Sequence, residues 1–213
     1  MKYGIVVVVF LSSLSLWSQP APQLEVFGGA SYFRADISPD LAQFGVAHVN
    51  TYGWHASASE YLNRWFGGTA DFSGNYGRPT VSVAANALGP GLPPTNVSLS
   101  DIVNLSTYTA MFGPSVAYRK SEAFQPFAHV LLGVVHARAS TTSKGAAVIG
   151  TDAKTSDTVF GYALGGGVDV KLTSLVALRG QADFIRSQFN DLGDDRQNNF
   201  RVSGGIVFRF GSR

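Results

Sequence analysis

The side chains best suited to chemistry in this sequence are its histidines and the serines near two of them. His136 precedes Ser140 by four residues, and His55 precedes Ser57 by two. A histidine beside a serine can act as the base that activates a nucleophile. Neither pair stands in a HExxH or GxSxG motif, and the chain has no P-loop and no GxGxxG run before a helix. We therefore expect no catalytic and no cofactor-binding residue.

A metal site would need ligands that converge on one point. His129 and His136 are seven residues apart, which places them on opposite faces of a strand. The chain contains no cysteine. That excludes a disulfide scaffold, a cysteine nucleophile, and a zinc or iron–sulfur site built on cysteine. The sequence thus predicts no bound metal and no cofactor.

Nine charged residues share another feature: each stands opposite the apolar residues of an alternating segment. They are Glu25, Asp71, Arg119, Asp169, Lys171, Arg179, Asp183, Arg201 and Arg209. In the last segment, for example, Arg209 lies between Phe208 and Phe210. Successive side chains of a strand point to opposite faces, so this pattern predicts strands with one apolar and one polar face.

Eight segments are predicted as strands because they alternate in this way or are apolar on both faces. They are 24–34, 50–61, 64–77, 105–119, 124–139, 157–171, 174–187 and 198–210. Strands of soluble proteins usually have about 5–6 residues, whereas one that crosses a membrane needs about 9–11. These segments are of the longer kind. Their length favours a transmembrane barrel.

The connections between the segments alternate regularly between long and short. The long ones are 35–49, 78–104, 140–156 and 188–197, and the short ones lie near 62–63, 120–123 and 172–173. Long external loops and short periplasmic turns are typical of outer-membrane barrels. The fold class predicted is all-β: a closed eight-stranded antiparallel up-and-down transmembrane β-barrel.

Composition and the first residues agree with export to a membrane. Of the 213 residues, 14% are charged, against about 25% in ordinary soluble domains. The 16 Lys and Arg nearly balance the 14 Asp and Glu, so no nucleic-acid partner is indicated. Residues 1–18 fit a signal peptide, since the apolar run 5–16 is too short to span a bilayer. We expect residues 19–213 to form the barrel domain in a Gram-negative outer membrane.

The size of the barrel sets what its interior can hold. Eight strands enclose a space just wide enough for side chains, and a lone buried charge is costly. We therefore expect the nine charged residues to form a structural ion-pair network, with Asp183 between Arg179 and Arg201. Pro114 should cause a bulge or a local opening of its strand. Aromatic residues near the strand ends predict girdles at the headgroup level: Tyr32, Tyr52, Tyr76, Tyr108, Tyr118, Phe160, Phe200 and Phe210.

Three stretches carry a family resemblance. They run from Gly113-Pro114-Ser115 through Gln125-Pro126-Phe127 to Gly133, from Gly161 to Asp169, and from Phe200 to Phe210. In these the chain resembles the OmpA-like eight-stranded barrels of bacterial outer membranes, in the form of the barrel without the peptidoglycan-binding domain. The resemblance implies that Phe208 and Phe210 belong to the signal read by the barrel assembly machinery. The last residues, Gly211-Ser212-Arg213, depart from the aromatic residue that usually ends such chains.

The function expected is a structural or surface-interaction role through the long loops, with at most minor pore activity and without enzyme activity. Expected partners are outer-membrane lipid, lipopolysaccharide and the assembly machinery, and the chain is expected to be a monomer. A general porin is excluded because it needs about 16 strands. Two alternatives stay open: a soluble periplasmic lipocalin-like barrel with an apolar ligand, and an enzyme that modifies lipid A.

Overall fold

The computed structural model describes residues 23–36, 48–78, 80–83, 99–119, 121, 123–142, 154–188 and 196–211. The predicted signal peptide lies outside them. The described residues form nine strands and include no helix long and apolar enough to cross a membrane. The strands are β1 (Gln23–Asp36), β2 (His48–Tyr61), β3 (Phe66–Gly77), β4 (Thr80–Val83), β5 (Leu99–Ala117), β6 (Phe124–Thr142), β7 (Lys154–Lys171), β8 (Val176–Gln188) and β9 (Arg196–Phe210).

These strands close into one antiparallel barrel of eight walls. The order around it is β3-β2-β1-β9-β8-β7-β6-β5, and β5 pairs with β3 to complete the ring. The short β4 follows β3 along the chain and pairs with the first four residues of β5. Strands β3 and β4 therefore together form a single wall. The predicted fold class is confirmed.

The register gives the barrel a large stagger. A path of paired residues that starts at Gln23 on β1 returns to β1 at Phe33, ten residues further along. On the way it passes through Tyr61, Gly67, Ser115, His129, Gly165, Asp183 and Arg201. Such a stagger tilts the strands against the barrel axis. A side chain on one wall can therefore meet partners from distant parts of the sequence.

Two of the short turns have the same construction. In 62–65 the side-chain Oδ1 of Asn63 accepts the backbone N–H groups of Trp65 and Phe66. In 172–175 the hydroxyl of Thr173 accepts those of Leu175 and Val176. Such side chains hold a tight turn by replacing backbone partners. We call this end of the barrel, which also has β1's start and β9's end, the turn end, and the opposite end the loop end.

A simple rule of facing runs through the whole barrel. Every strand pairing among the described residues joins an odd-numbered residue to an odd-numbered one or an even-numbered residue to an even-numbered one, as in Glu25 with Arg209 and Val26 with Phe208. Because side chains alternate along a strand, one parity then lines the inside of all eight walls. The buried charged residues are all odd-numbered, and the exposed apolar residues of the strands are even-numbered.

The structure differs from the sequence prediction at several strand ends. Arg64 and Trp65 belong to a turn instead of the predicted 64–77 strand, and β8 begins at Val176 instead of 174, because the side-chain-bonded turns each occupy four residues. Within the predicted 78–104 loop lie β4 and the first part of β5. At Pro114, which has no backbone N–H, pairing with β6 lapses at two residues and resumes in the same register. The strand opens there without a bulge.

Candidate functional site

The centre of the lumen is organised by one arginine. Arg201 on β9 is fully buried and reaches two aspartates on different walls. Its Nη1 and Nη2 donate to Oδ1 and Oδ2 of Asp71 on β3, at 2.9 and 3.1 Å. Its Nε donates to Oδ2 of Asp183 on β8, at 2.8 Å. This guanidinium thus bridges β3 and β8, which are four positions apart in the ring of eight walls, with charge-assisted bonds on both sides.

A histidine also contacts each of these carboxylates. Nε2 of His55 on β2 lies 2.5 Å from Oδ2 of Asp71, and Nε2 of His129 on β6 lies 2.8 Å from Oδ1 of Asp183. The result is a continuous row His55–Asp71–Arg201–Asp183–His129, which we call the mid-lumen chain. It crosses the interior from β2 to β6, and all five side chains are buried.

A missing side chain makes one of these contacts possible. Gly165 on β7 is the direct register partner of both His129 and Asp183. A Cβ at Gly165 would collide with Oδ1 of Asp183, the atom that meets His129. The glycine therefore leaves the gap through which Asp183 and His129 join across the intervening strand. The contact between Asp183 and His129 therefore requires a glycine at 165, the first of the three consecutive glycines 165–167.

A second ionic group lies nearer the turn end. Asp169 accepts from Nε and Nη2 of Arg179 at 2.7 and 2.8 Å and from Nη2 of Arg209 at 2.9 Å. Glu25 accepts from Nη2 of Arg119 at 2.9 Å and from Nη2 of Arg179 at 3.0 Å, and its Oε1 lies 3.1 Å from Nε of Arg209. We call these three arginines and two carboxylates the turn-end network.

Aromatic rings complete the turn-end network and join it to the mid-lumen chain. The guanidinium of Arg179 lies 4.2 Å from the ring centre of Phe127, and that of Arg119 lies 4.1 Å from the ring of Tyr61. Arginine stacked on a ring in this way gains a cation–π contribution. The ring of Phe27 packs against His55, with 5.0 Å between ring centres. Phe27 therefore packs between the two ionic groups.

The structure distributes the nine predicted lumen residues between the two groups, except for Lys171. Asp71, Asp183 and Arg201 lie in the mid-lumen chain; Glu25, Arg119, Asp169, Arg179 and Arg209 lie in the turn-end network. Lys171 is half-buried and joins neither group among the described residues.

One predicted contact is wrong. Asp183 was expected between Arg179 and Arg201, but it contacts only Arg201 of the two. The register explains this, since Arg201 is the direct partner of Asp183 on β9, whereas the direct partner of Arg179 on β7 is Asp169. Arg179 and Asp183 lie on the same strand four residues apart, about 13 Å at 3.3 Å per residue.

Sequence reasoning missed three members of the mid-lumen chain and its surroundings. His55 and His129 were considered only as catalytic or metal candidates, and Gln181, whose Nε2 donates to Asp183 at 3.0 Å, was not considered as a partner. The available signal was the odd-numbered polar face of β2 and β8. For His129 that signal was hidden, because β6 is apolar on both faces.

A cluster of apolar side chains lies in the part of the lumen nearer the loop end. Its members are Phe33, Met111, Leu131, Val135, Ala163 and Ile185, with Ala35 and Val159 packed against them. We call this the apolar plug. Each of the six is at most 3% exposed. Buried polar side chains, among them Ser73, Asn75 and Thr109, line other walls in the same part of the lumen.

Neither histidine–serine pair forms a contact among the described residues. His55 contacts Asp71, and Nδ1 of His136 lies 2.7 Å from the hydroxyl of Thr158 on the outer face of the barrel. Within the part of the chain that the structure describes, no three His, Asp or Glu residues are grouped as a metal site.

Comparison with known proteins identifies the family to which this barrel belongs. The model of the family described as outer membrane protein beta-barrel domain matches residues 5–210. The chain belongs to this family. None of the curated protein sequences compared with this outer-membrane barrel matches it. The resemblance to the bacterial outer-membrane barrel family that the sequence indicated is thereby confirmed.

Solved structures of the same shape support the fold. Ail, the attachment invasion locus protein of Yersinia pestis, solved in complex with the heparin analogue sucrose octasulfate, is 14% identical with a TM-score of 0.57, covering 89% of this chain and 99% of Ail. Neisserial surface protein A is 15% identical with a TM-score of 0.56, covering 88% and 97%. OprG from Pseudomonas aeruginosa is 13% identical with a TM-score of 0.52, covering 91% and 98%. At these identities the likeness concerns the fold alone.

The facing of the side chains fits the outer membrane. The outer wall carries exposed apolar residues such as Leu132, Leu164 and Ile206, while the ionic groups lie inside. A lipocalin-like barrel needs the reverse, an apolar interior and a charged exterior. In outer-membrane barrels the short turns are periplasmic and the long loops external. The turn end of this barrel is therefore periplasmic, and the loop end faces outward.

The predicted aromatic residues lie at the two ends of this apolar wall. Near the loop end the rings of Tyr32 and Tyr52 are 5.4 Å apart, and those of Tyr76 and Tyr108 are 5.8 Å apart. Near the turn end Tyr118 packs against Trp65 at 5.6 Å. Rings at these levels suit the boundary between headgroups and hydrocarbon. Phe208 and Phe210 face outward at the end of β9, and their role in assembly stays a prediction.

Proposed function

We propose that this barrel is a filled, rigid mount for the four segments that join its strands at the loop end, and that these segments make its surface interactions. The observation that carries the proposal is the closed lumen. The side chains of the turn-end network, the mid-lumen chain and the apolar plug lie packed within it. A barrel filled in this way has little capacity to conduct ions. We therefore expect its function to lie in the four connecting segments at the loop end.

The sequences of the four segments favour a particular kind of partner. Segments 37–47, 84–98, 143–153 and 189–195 contain Lys144 as their one basic residue, against Asp40, Asp152, Asp191, Asp194 and Asp195. Segment 84–98 has no charged residue and holds Pro90, Pro93 and Pro94. Such a surface suits a cationic or apolar partner. It would repel a polyanion of the kind bound to Ail, so that ligand is not transferred to this chain.

Conductance tests the first half of the proposal. The protein purified from outer membranes is inserted into a planar bilayer and its current compared with that of a 16-stranded porin. We expect at most brief, small currents. A stable conductance of porin size would contradict the filled lumen.

Adhesion of whole cells tests the second half. Cells that display the protein are offered apolar, polycationic and heparin-coated surfaces, and are compared with cells in which segment 84–98 is replaced by glycine and serine of equal length, or in which Asp191, Asp194 and Asp195 are changed to Asn. We expect the first variant to lose apolar adhesion and the second to lose polycation adhesion. A heat-shifted gel band controls for folding. Adhesion equal to that of cells lacking the protein would overturn the proposal.

A further inference from the structure

The outer wall of the barrel carries several basic side chains at its loop end. Arg34, Arg138 and Arg186 stand at even-numbered, outward positions of their strands, and Arg78 directly follows β3. Arg34, Arg78 and Arg138 are exposed. Asp36, the last residue of β1, is also even-numbered. The exposed arginines at this end are therefore accessible to anions at the membrane surface.

Arg138 has the most elaborate polar surroundings of the four. It lies on β6 between Ser106 on β5 and Ser156 on β7. Two residues closer to the membrane centre, His136 packs against Tyr108 with 6.4 Å between ring centres, and its Nδ1 contacts Thr158. Hydroxyl, imidazole and guanidinium groups thus form one outward patch on β5, β6 and β7.

The depth of this patch identifies its chemistry. It lies at the level of the loop-end aromatic residues, where the wall passes from hydrocarbon to headgroups. A long basic side chain at such a level extends into the headgroup region. Arginine binds phosphate through two parallel hydrogen bonds, and hydroxyl groups add further donors.

We propose that Arg138, with His136, Tyr108, Ser106 and Ser156, binds a phosphate of the lipid A part of lipopolysaccharide in the outer leaflet. The proposal rests on the outward orientation of the loop end and not on what the connecting segments bind. The guanidinium meets the phosphate, and the hydroxyls beside and below it complete the shell. The site would fix one glycolipid against β5–β7.

Native mass spectrometry of the protein purified from outer membranes tests this site. The probes are bisphosphorylated lipid A, fully dephosphorylated lipid A and phosphatidylglycerol. We expect Arg138→Gln to weaken binding of bisphosphorylated lipid A roughly tenfold, since one charge-assisted contact is lost. Arg64→Gln, an exposed arginine at the opposite end, is the matched control and should change binding less than about twofold. Dephosphorylated lipid A should bind the wild type as weakly as the phosphorylated lipid binds the Arg138 variant.

Further variants separate phosphate recognition from general charge. Arg138→Lys keeps the charge but loses the paired hydrogen bonds, so it should bind more weakly than the wild type and more tightly than Arg138→Gln. His136→Gln should weaken binding severalfold while the folded gel band is unchanged. Equal losses for Arg138→Gln and Arg64→Gln, undiminished binding of dephosphorylated lipid A, or equally tight binding of phosphatidylglycerol would each overturn the proposal.

Discussion

The mid-lumen chain and the turn-end network use the same residue types but share their charges differently. In the mid-lumen chain one arginine serves two carboxylates, and the ion-paired side chains of Arg201, Asp71 and Asp183 are at most 1% exposed. In the turn-end network three arginines serve two carboxylates, and the side chain of Arg119 is 13% exposed. The first group is sealed and depends on one cation; the second has cations in excess and is partly open.

This difference shows why histidines occur in one group and not the other. With a single cation, each aspartate of the mid-lumen chain keeps lone pairs that Arg201 does not fill, and a neutral imidazole can donate to them without adding a charge. At the turn end further arginines take that place. The four arginines and four carboxylates of the two groups balance, so the two groups together are neutral when both histidines are neutral. Redundancy should therefore decide how much each residue contributes to stability.

Removing the central cation should have the largest effect. Arg201→Met leaves Asp71 and Asp183 buried without a counter-charge, which should cost about 3–5 kcal/mol of unfolding free energy. Urea unfolding in phospholipid vesicles measures this, with fluorescence of the exposed Trp54 and Trp65 as the reporter. The triple variant Arg201→Met, Asp71→Asn, Asp183→Asn should regain much of the loss. A loss smaller than that of Arg179→Met would refute the contrast between the groups.

Closing the gap at Gly165 should have the next largest effect. In Gly165→Ala the new Cβ displaces Asp183 from His129, which should cost about 2–3 kcal/mol for a hydrogen bond to a charged group. Gly180→Ala is the matched control, because a Cβ at Gly180 meets nothing within 4 Å, and it should stay within about 0.5 kcal/mol. If the mechanism is right, Gly165→Ala and His129→Gln together should cost less than their sum.

Loss of Arg179 from the turn-end network should cost less than loss of Arg201, although each arginine makes three hydrogen bonds. In Arg179→Met, Asp169 keeps Arg209, and Glu25 keeps Arg119 and Arg209. No buried carboxylate loses all its cations, so about 1–2 kcal/mol is expected, within the range of ordinary buried substitutions. The same vesicle assay measures it. A cost equal to that of Arg201→Met would mean that the redundancy has no energetic value.

Alternation alone was sufficient to predict the fold and the inward set of charges. In β9 the apolar and polar positions alternate nearly without interruption, so the facing of Arg201 could be assigned from the sequence. The partners of Arg201 could not be assigned. They depend on the register between strands and on the ten-residue stagger, and neither leaves a periodic signal within one strand.

The glycines and histidines of the lumen show the same limit. The role of Gly165 in the triplet 165–167 could not be predicted from the sequence, because it appears only when Asp183 and His129 are known to flank this glycine. Strands β3 and β8 each begin two residues later than predicted. The turns before them are held by side-chain hydrogen bonds to Asn63 and Thr173, which hydrophobic periodicity does not detect.

The smallest effect is expected at the open edge of the turn-end network. Arg119→Met should cost less than about 1 kcal/mol, because a partly solvated ion pair gains little and Glu25 retains two other arginines. The difference between Arg119→Met and the wild type should also shrink when salt is raised from about 0.05 to about 0.5 M, as screening reaches exposed pairs. The cost of Arg201→Met should not change with salt, since that pair is sealed. Salt dependence of equal size for both variants would show that the mid-lumen chain is as accessible as the turn end, and the distinction between a sealed and an open group would fail.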